Sequence, residues 1–141
     1  MTREESAGHR IVPHTADLRI EAWAPTREQC IAEAVYAMVG AFTDLTSTVP
    51  AVRREFVVPA APAQDQLVTV LNELIYRMDT DDEVPRAVEV RRKGADLQVL
   101  LAMADTARVT VIGAAPKAVT RRRLSFGPID TGWRCIVTLD V

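Results

Sequence analysis

The feature that most restricts the fold is the second half of the chain, where apolar and polar residues alternate in short runs that follow one another closely. RAVEVRR, DLQVLLAM, ARVTVI, KAVTRRRLSF and WRCIVTLDV each have the period of a strand with one face buried. Between them stand Lys93-Gly94-Ala95, the stretch from Gly113 to Pro116, and GPIDTG, all of turn composition. A parallel crossover needs a dozen or more residues, so strands this close in sequence pair as antiparallel neighbours. Gly94 suits the bend of the first hairpin because glycine enters positive φ at no steric cost.

The first half has a different rhythm. Leu18, Ile20, Ala22 and Ala24 alternate with Arg19, Glu21 and Trp23, which predicts a strand that Pro25 ends. Carried back one residue, the same phase puts Asp17 on the polar side with Arg19 and Glu21. Thr26, followed three positions later by Gln29, forms a capping-box pattern, after which Ile31, Ala34, Val35, Met38, Val39 and Phe42 recur at helical spacing. VRREFVVP predicts a short strand, and Leu67, Leu71, Leu74, Ile75 and Met78 predict a second amphipathic helix with Asn72 and Glu73 facing water. The residues before the first strand, His9 among them, are expected to fray. The order predicts an α+β fold of two layers, a mainly antiparallel sheet with both helices on one face, and 141 residues suffice for one such domain, 1–141. The opposite face of the sheet is then at least partly solvated, where the outward Asp17 could act.

Composition narrows function by exclusion. Charged residues make up 26% of the chain and the net charge is -2, so there is no global attraction to nucleic acid or to an anionic membrane. No window approaches the roughly 18 apolar residues of a spanning helix, and MTREESAGHR lacks the apolar centre of a signal peptide, so a cytoplasmic protein without membrane contact is expected. Cys30 and Cys135 have no zinc or redox spacing and are expected to be buried free thiols. There is no phosphate loop, dinucleotide fingerprint or nucleophile elbow, and only His9 and His14 could serve as imidazole bases. Carboxylates remain. In IVTLDV the phase sets Asp140 with Ile136 and Thr138, opposite Val137, Leu139 and Val141. If this last strand pairs beside the first, Asp17 and Asp140 converge, and a free α-carboxylate on Val141 adds a third oxygen donor. An all-oxygen set favours Ca2+ or Mg2+ over zinc, although two unrelated surface aspartates would give the same spacing. By the same phase, Arg121 and Arg123 point one way with Lys117 and Val119, and Arg122 points the other way with Leu124 and Phe126. This small basic patch suits RNA phosphate, a solvated strand face, or an edge protected against aggregation.

PHTADLRIEAWAPTREQCIAEAVYAMVGAFTDL, LVTVLNELIYRMDT, PKAVT and the closing TLDV, in that order and over nearly the whole chain, resemble the archease family. The resemblance implies a small cytoplasmic α+β protein, not itself an enzyme, that assists an RtcB-type RNA-splicing ligase in tRNA splicing and RNA repair by promoting its guanylylation and turnover. It also implies a calcium site on Asp17, Asp140 and Val141, and a functional lysine at Lys117. The expected partner is the ligase, bound transiently, with RNA or GTP met through it and with Lys117, Arg121, Arg123 and His14 as contacts to partner or phosphate. Some archeases are also linked to modulating a tRNA cytosine methyltransferase. A rival from another class is a metal-dependent phosphate-ester hydrolase, with the Asp17 and Asp140 cation as Lewis acid and His14 as base. The chain departs from the family pattern at Arg121 and Arg122, where Tyr-His usually follows K-A-V-T. It departs again in the shortened MADTARVTVIGAAP and at Val70, where tryptophan is common.

Overall fold

The computed structural model describes residues 6–12, 17–46 and 48–141, and every strand pair in it is antiparallel. In chain order the elements are β1 (Gly8–Val12), β2 (Leu18–Ala24), α1 (Arg27–Gly40), β3 (Thr43–Asp44), β4 (Val52–Val58) and α2 (Ala63–Asp81). They continue with β5 (Glu83–Lys93), β6 (Asp96–Asp105), β7 (Thr110–Val111), β8 (Ala118–Ile129) and β9 (Gly132–Asp140). The α+β class holds, with two helices and the described strands shared among three sheets, ordered β1-β2-β9-β8, β4-β6-β5 and β3-β7.

Helix α1 explains this partition. The Thr26 hydroxyl oxygen accepts a hydrogen bond from the Gln29 amide at 3.1 Å, which fixes where the helix starts. Beyond the cap, Cys30, Ile31, Ala32, Ala34, Val35, Ala37, Met38 and Val39 are all buried, more than a single stripe could supply. The helix packs against β2 on one side and β5 on another, and its alanines admit both sheets closely. Helix α2 is amphipathic as expected: Leu67, Leu71 and Leu74 are fully buried while Tyr76 is 63% exposed, and it packs on β8 and β5. Gln66, buried near its start, donates through Nε2 to the carbonyls of Pro59 and Ala95, which ties α2 to the β5–β6 bend. That bend is the one expected, with Gly94 at φ 64.

Three local expectations are corrected. His9 does not fray: it lies in β1 opposite Ala22, and its ring donates from Nδ1 to the Glu33 carboxylate of α1 at 2.7 Å. ARVTVI is not one strand, because the Asp105 carboxylate caps Ala107 at 2.9 Å and turns residues 106–108 into a 3-10 helix, leaving only Thr110–Val111 to pair with β3. Asn72 is exposed as expected, yet its side-chain oxygen also accepts from the Val119 amide on the outer edge of β8. Pro85 and Pro128 sit in β5 and β8, both edge strands, where a missing amide proton is tolerated.

Candidate functional site

The register of β2 with β9 decides where the carboxylates go. Leu18 pairs with Leu139 as the outermost couple, so Asp17 and Asp140 follow directly at the same end of adjacent strands. Strand β8 closes the other flank, with Ala118 opposite Asp140 and the Lys117 amide donating to the Asp140 carbonyl at 2.7 Å. Asp17, Asp140, Lys117 and Val141 are therefore gathered at one end of the four-stranded sheet. Lys117 and Val141 also line a groove of about 800 Å3 whose far wall is Ile75, Tyr76 and Asp79 of α2.

The arginine run is arranged differently from a regular strand. Thr120 pairs with Thr138 and Ser125 with Ile136, so Arg121, Arg122, Arg123 and Leu124 all stand opposite Val137 alone. Three extra residues are an odd number, and an odd insertion reverses which face each later side chain occupies. The expected grouping of Arg122 with Phe126, and of Arg121 and Arg123 with Val119, is overturned for this reason. Val119 and Phe126 both lie opposite buried residues, Leu139 and Cys135. Within the bulge Arg123 takes φ 58, a left-handed conformation that costs a side-chain-bearing residue energy, and the Arg122 amide is held by the Thr120 hydroxyl at 3.0 Å. Arg121 reaches Asp65 in the first turn of α2 at 2.9 Å, and Arg122 reaches Asp17 at 3.4 Å. Lys117, Arg121 and Arg123 do not form one strand-face patch.

The polar side of β2 is not open to water. Glu21 is 4% exposed, enclosed by Arg10 of β1 and Arg134 of β9, both of which donate to its carboxylate. Burial pushes this carboxyl upward, but the hydrogen bonds and charges of Arg134 and Arg10 outweigh it and hold the net value below the usual 4.5. Across the core, Cys30 and Cys135 are buried and free as expected. The Cys30 thiol lies beside that of Cys135 and donates to the Ala22 carbonyl, and this contact together with burial raises it above the ordinary thiol range. Such thiols are structural.

What the sheet end offers a ligand is oxygen. Among the described residues no group of three or more His, Cys, Asp or Glu side chains is placed to hold a metal, so a cation here depends on Asp17 and Asp140 joined by a main-chain or terminal oxygen. That donor set fits a hard cation such as Ca2+ or Mg2+ and does not fit zinc. His14 lies outside the described residues.

The model of the Archease protein family (MTH1598/TM1083) matches residues 9–141. The chain belongs to the archease family. A probable protein archease of Mycobacterium tuberculosis is 47% identical over 136 residues, covering 96% of this chain and 76% of that one. The protein archease of Methanosarcina barkeri is 25% identical, covering 94% and 95%. Two solved structures share the fold. One is Methanobacterium thermoautotrophicum protein 1598, with TM-score 0.76 and 21% identity over 95% of this chain and 99% of that one. The other is an archease of Thermotoga maritima described as a possible chaperone, with TM-score 0.68 and 20% identity over 100% and 98%. Asp17, Lys117 and Asp140, which are far apart in the sequence, thus come to one end of one sheet. Motif reasoning missed Arg122, since no glycine or proline in TRRRLSF marks a bulge. Among the described residues, no helix is long and apolar enough to cross a membrane.

Proposed function

We propose that this archease is an accessory protein that binds a divalent cation, Ca2+ or in its place Mg2+, through Asp17, Asp140 and the Val141 carboxylate. With that end of its sheet it activates an RNA-splicing ligase by promoting guanylylation and turnover. The observation that carries this is the register that leaves Asp17 and Asp140 side by side beyond the Leu18 and Leu139 pair, with the Lys117 main-chain amide donating to the Asp140 carbonyl. Two adjacent carboxylates repel unless a cation neutralises them, and the cation's remaining positive charge would attract a phosphate of the partner's nucleotide. Lys117 stands where it would add to that attraction as a compact point charge. The groove between Lys117, Val141 and α2, with exposed Tyr76 on its wall, offers the ligase an apolar surface beside the charged one. Arg121 and Arg123 both lie within the bulge, where Arg121 is drawn to Asp65 and Arg123 takes a left-handed backbone, so they serve such contacts singly and not as one patch.

The test is multiple-turnover ligation by the host's ligase with and without this protein. Acceleration at substoichiometric archease, lost in Asp140→Ala and in Lys117→Glu, is expected. No acceleration at any ratio, together with phosphatase activity of the protein alone, would overturn the proposal in favour of the hydrolase. An effect on tRNA cytosine methylation instead of ligation would transfer it to the methyltransferase.

A further inference from the structure

We propose that Arg122 is a built-in competitor for the cation at Asp17, so that a divalent ion enters by displacing a guanidinium already bonded to its ligand. The proposal rests on the Asp17 and Asp140 site put forward above and concerns its regulation. A regular continuation of β8 from the Thr120 and Thr138 pair would put Arg122 opposite Ile136, and so level with Glu21 two strands away. Glu21 is four residues from Asp17, roughly 13 Å along a strand, and already has two arginine partners. The bulge prevents that advance. With residues 121–124 all opposite Val137, which is level with Ile20, and the Arg122 amide tied back to the Thr120 hydroxyl, Arg122 is held one residue nearer the Asp17 end and its side chain crosses β9 to meet Asp17.

The partners are unequal in a way that suits exchange. The Asp17 side chain is 14% exposed, whereas that of Arg122 is 72% exposed and so can swing outward without disturbing the core. At 3.4 Å the pair is long for a charge-assisted hydrogen bond, so releasing it costs little. A divalent ion at the same carboxylate would meet both the lost donor and the repulsion of an adjacent positive charge. Arg122 therefore lowers the site's affinity and makes binding coincide with release of a mobile arginine. That arginine becomes available to a partner's phosphate at the moment the site fills, which couples cation occupancy to anion contact.

Calorimetric Ca2+ titration at low ionic strength tests this on the full chain, comparing wild type with Arg122→Gln, Arg122→Lys, Arg121→Gln and Asp17→Asn. Arg122→Gln should tighten Ca2+ binding on the order of fivefold. Arg122→Lys, which keeps a cation, should stay near wild type. Arg121→Gln removes the same charge from the same bulge without touching Asp17 and should have a clearly smaller effect. Detectable binding in Arg122→Gln alone would be the extreme form of the expected result. If wild type binds, Asp17→Asn abolishes binding and Arg122→Gln is unchanged, the site stands and the competition is overturned. An equal gain from Arg121→Gln overturns it as well, since only general electrostatics would then be at work. Absence of binding in every variant overturns both the competition and the site.

Discussion

Thr138 shows how closely the surroundings of the site are balanced. It is 4% exposed, pairs with Arg19 on one side and Thr120 on the other, and among the described residues its hydroxyl has no hydrogen-bond partner. The Nε atom of its neighbour Arg19 is unpartnered in the same way. A buried hydroxyl without a partner loses its hydration and gains nothing in return. Thr138→Val keeps the β-branched shape that suits a strand and removes the orphan, so it should stabilise the protein by about 1 kcal/mol in urea unfolding. A destabilised Thr138→Val would show that the hydroxyl has a partner in solution. Alternation sets Thr138 with Ile136 and Asp140, opposite Val137 and Leu139, but it does not reveal that this face is roofed. Burial there depends on long side chains of β1 and β9 covering β2, such as Arg10 and Arg134 over Glu21.

At the scale of elements, the caps, turns and helices were legible because their causes are local: Thr26 with Gln29 starts α1, and Gly94 bends β5 into β6. What was illegible was set by partners distant in sequence. The β8 bulge exists through its register with β9, and β1 through its pairing with β2, whose partner residues no local pattern identifies. The pairing of β9 beside β2, which the sequence could state only as a condition, is what brings Asp17 and Asp140 to the same end. The β8–β9 turn shows a local residue answering to a distant one. Gly132 has φ 145, and a Cβ there would stand 2.2 Å from the Ala24 carbonyl oxygen and 2.8 Å from the Pro25 Cα, both main-chain atoms that cannot swing aside. Gly132→Ala should therefore cost about 3 kcal/mol or more, read as a lower urea midpoint with an unchanged slope. A loss below about 0.5 kcal/mol, the usual range for innocuous surface changes, would mean that the β2–α1 corner moves freely.

For the molecule as a whole, Glu21 joins β1, β2 and β9, so its ionisation bears on the integrity of the largest sheet. Its folded pKa is depressed, so its contribution is present above the unfolded value of 4.5 and is lost as pH falls through the folded one. Melting temperature should drop between about pH 5 and about pH 3, and Glu21→Gln, less stable at neutral pH, should show a shallower drop over that window. Parallel curves would assign the acid sensitivity to other depressed carboxyls such as Glu83 and Glu89. The same sheet sets the order of events in the cell. Glu21 and Arg134 are 113 positions apart, and β2 is flanked by β1 and β9, so one side of the second strand stays unpaired until the ninth has been made. At translation rates of about 5–20 residues per second, β2 spends roughly 6–20 s with an unmatched edge while the rest of the chain emerges from the ribosome. Closing that edge is a long-range step, slow in folding terms, and the carboxylates at its end meet only when it is complete.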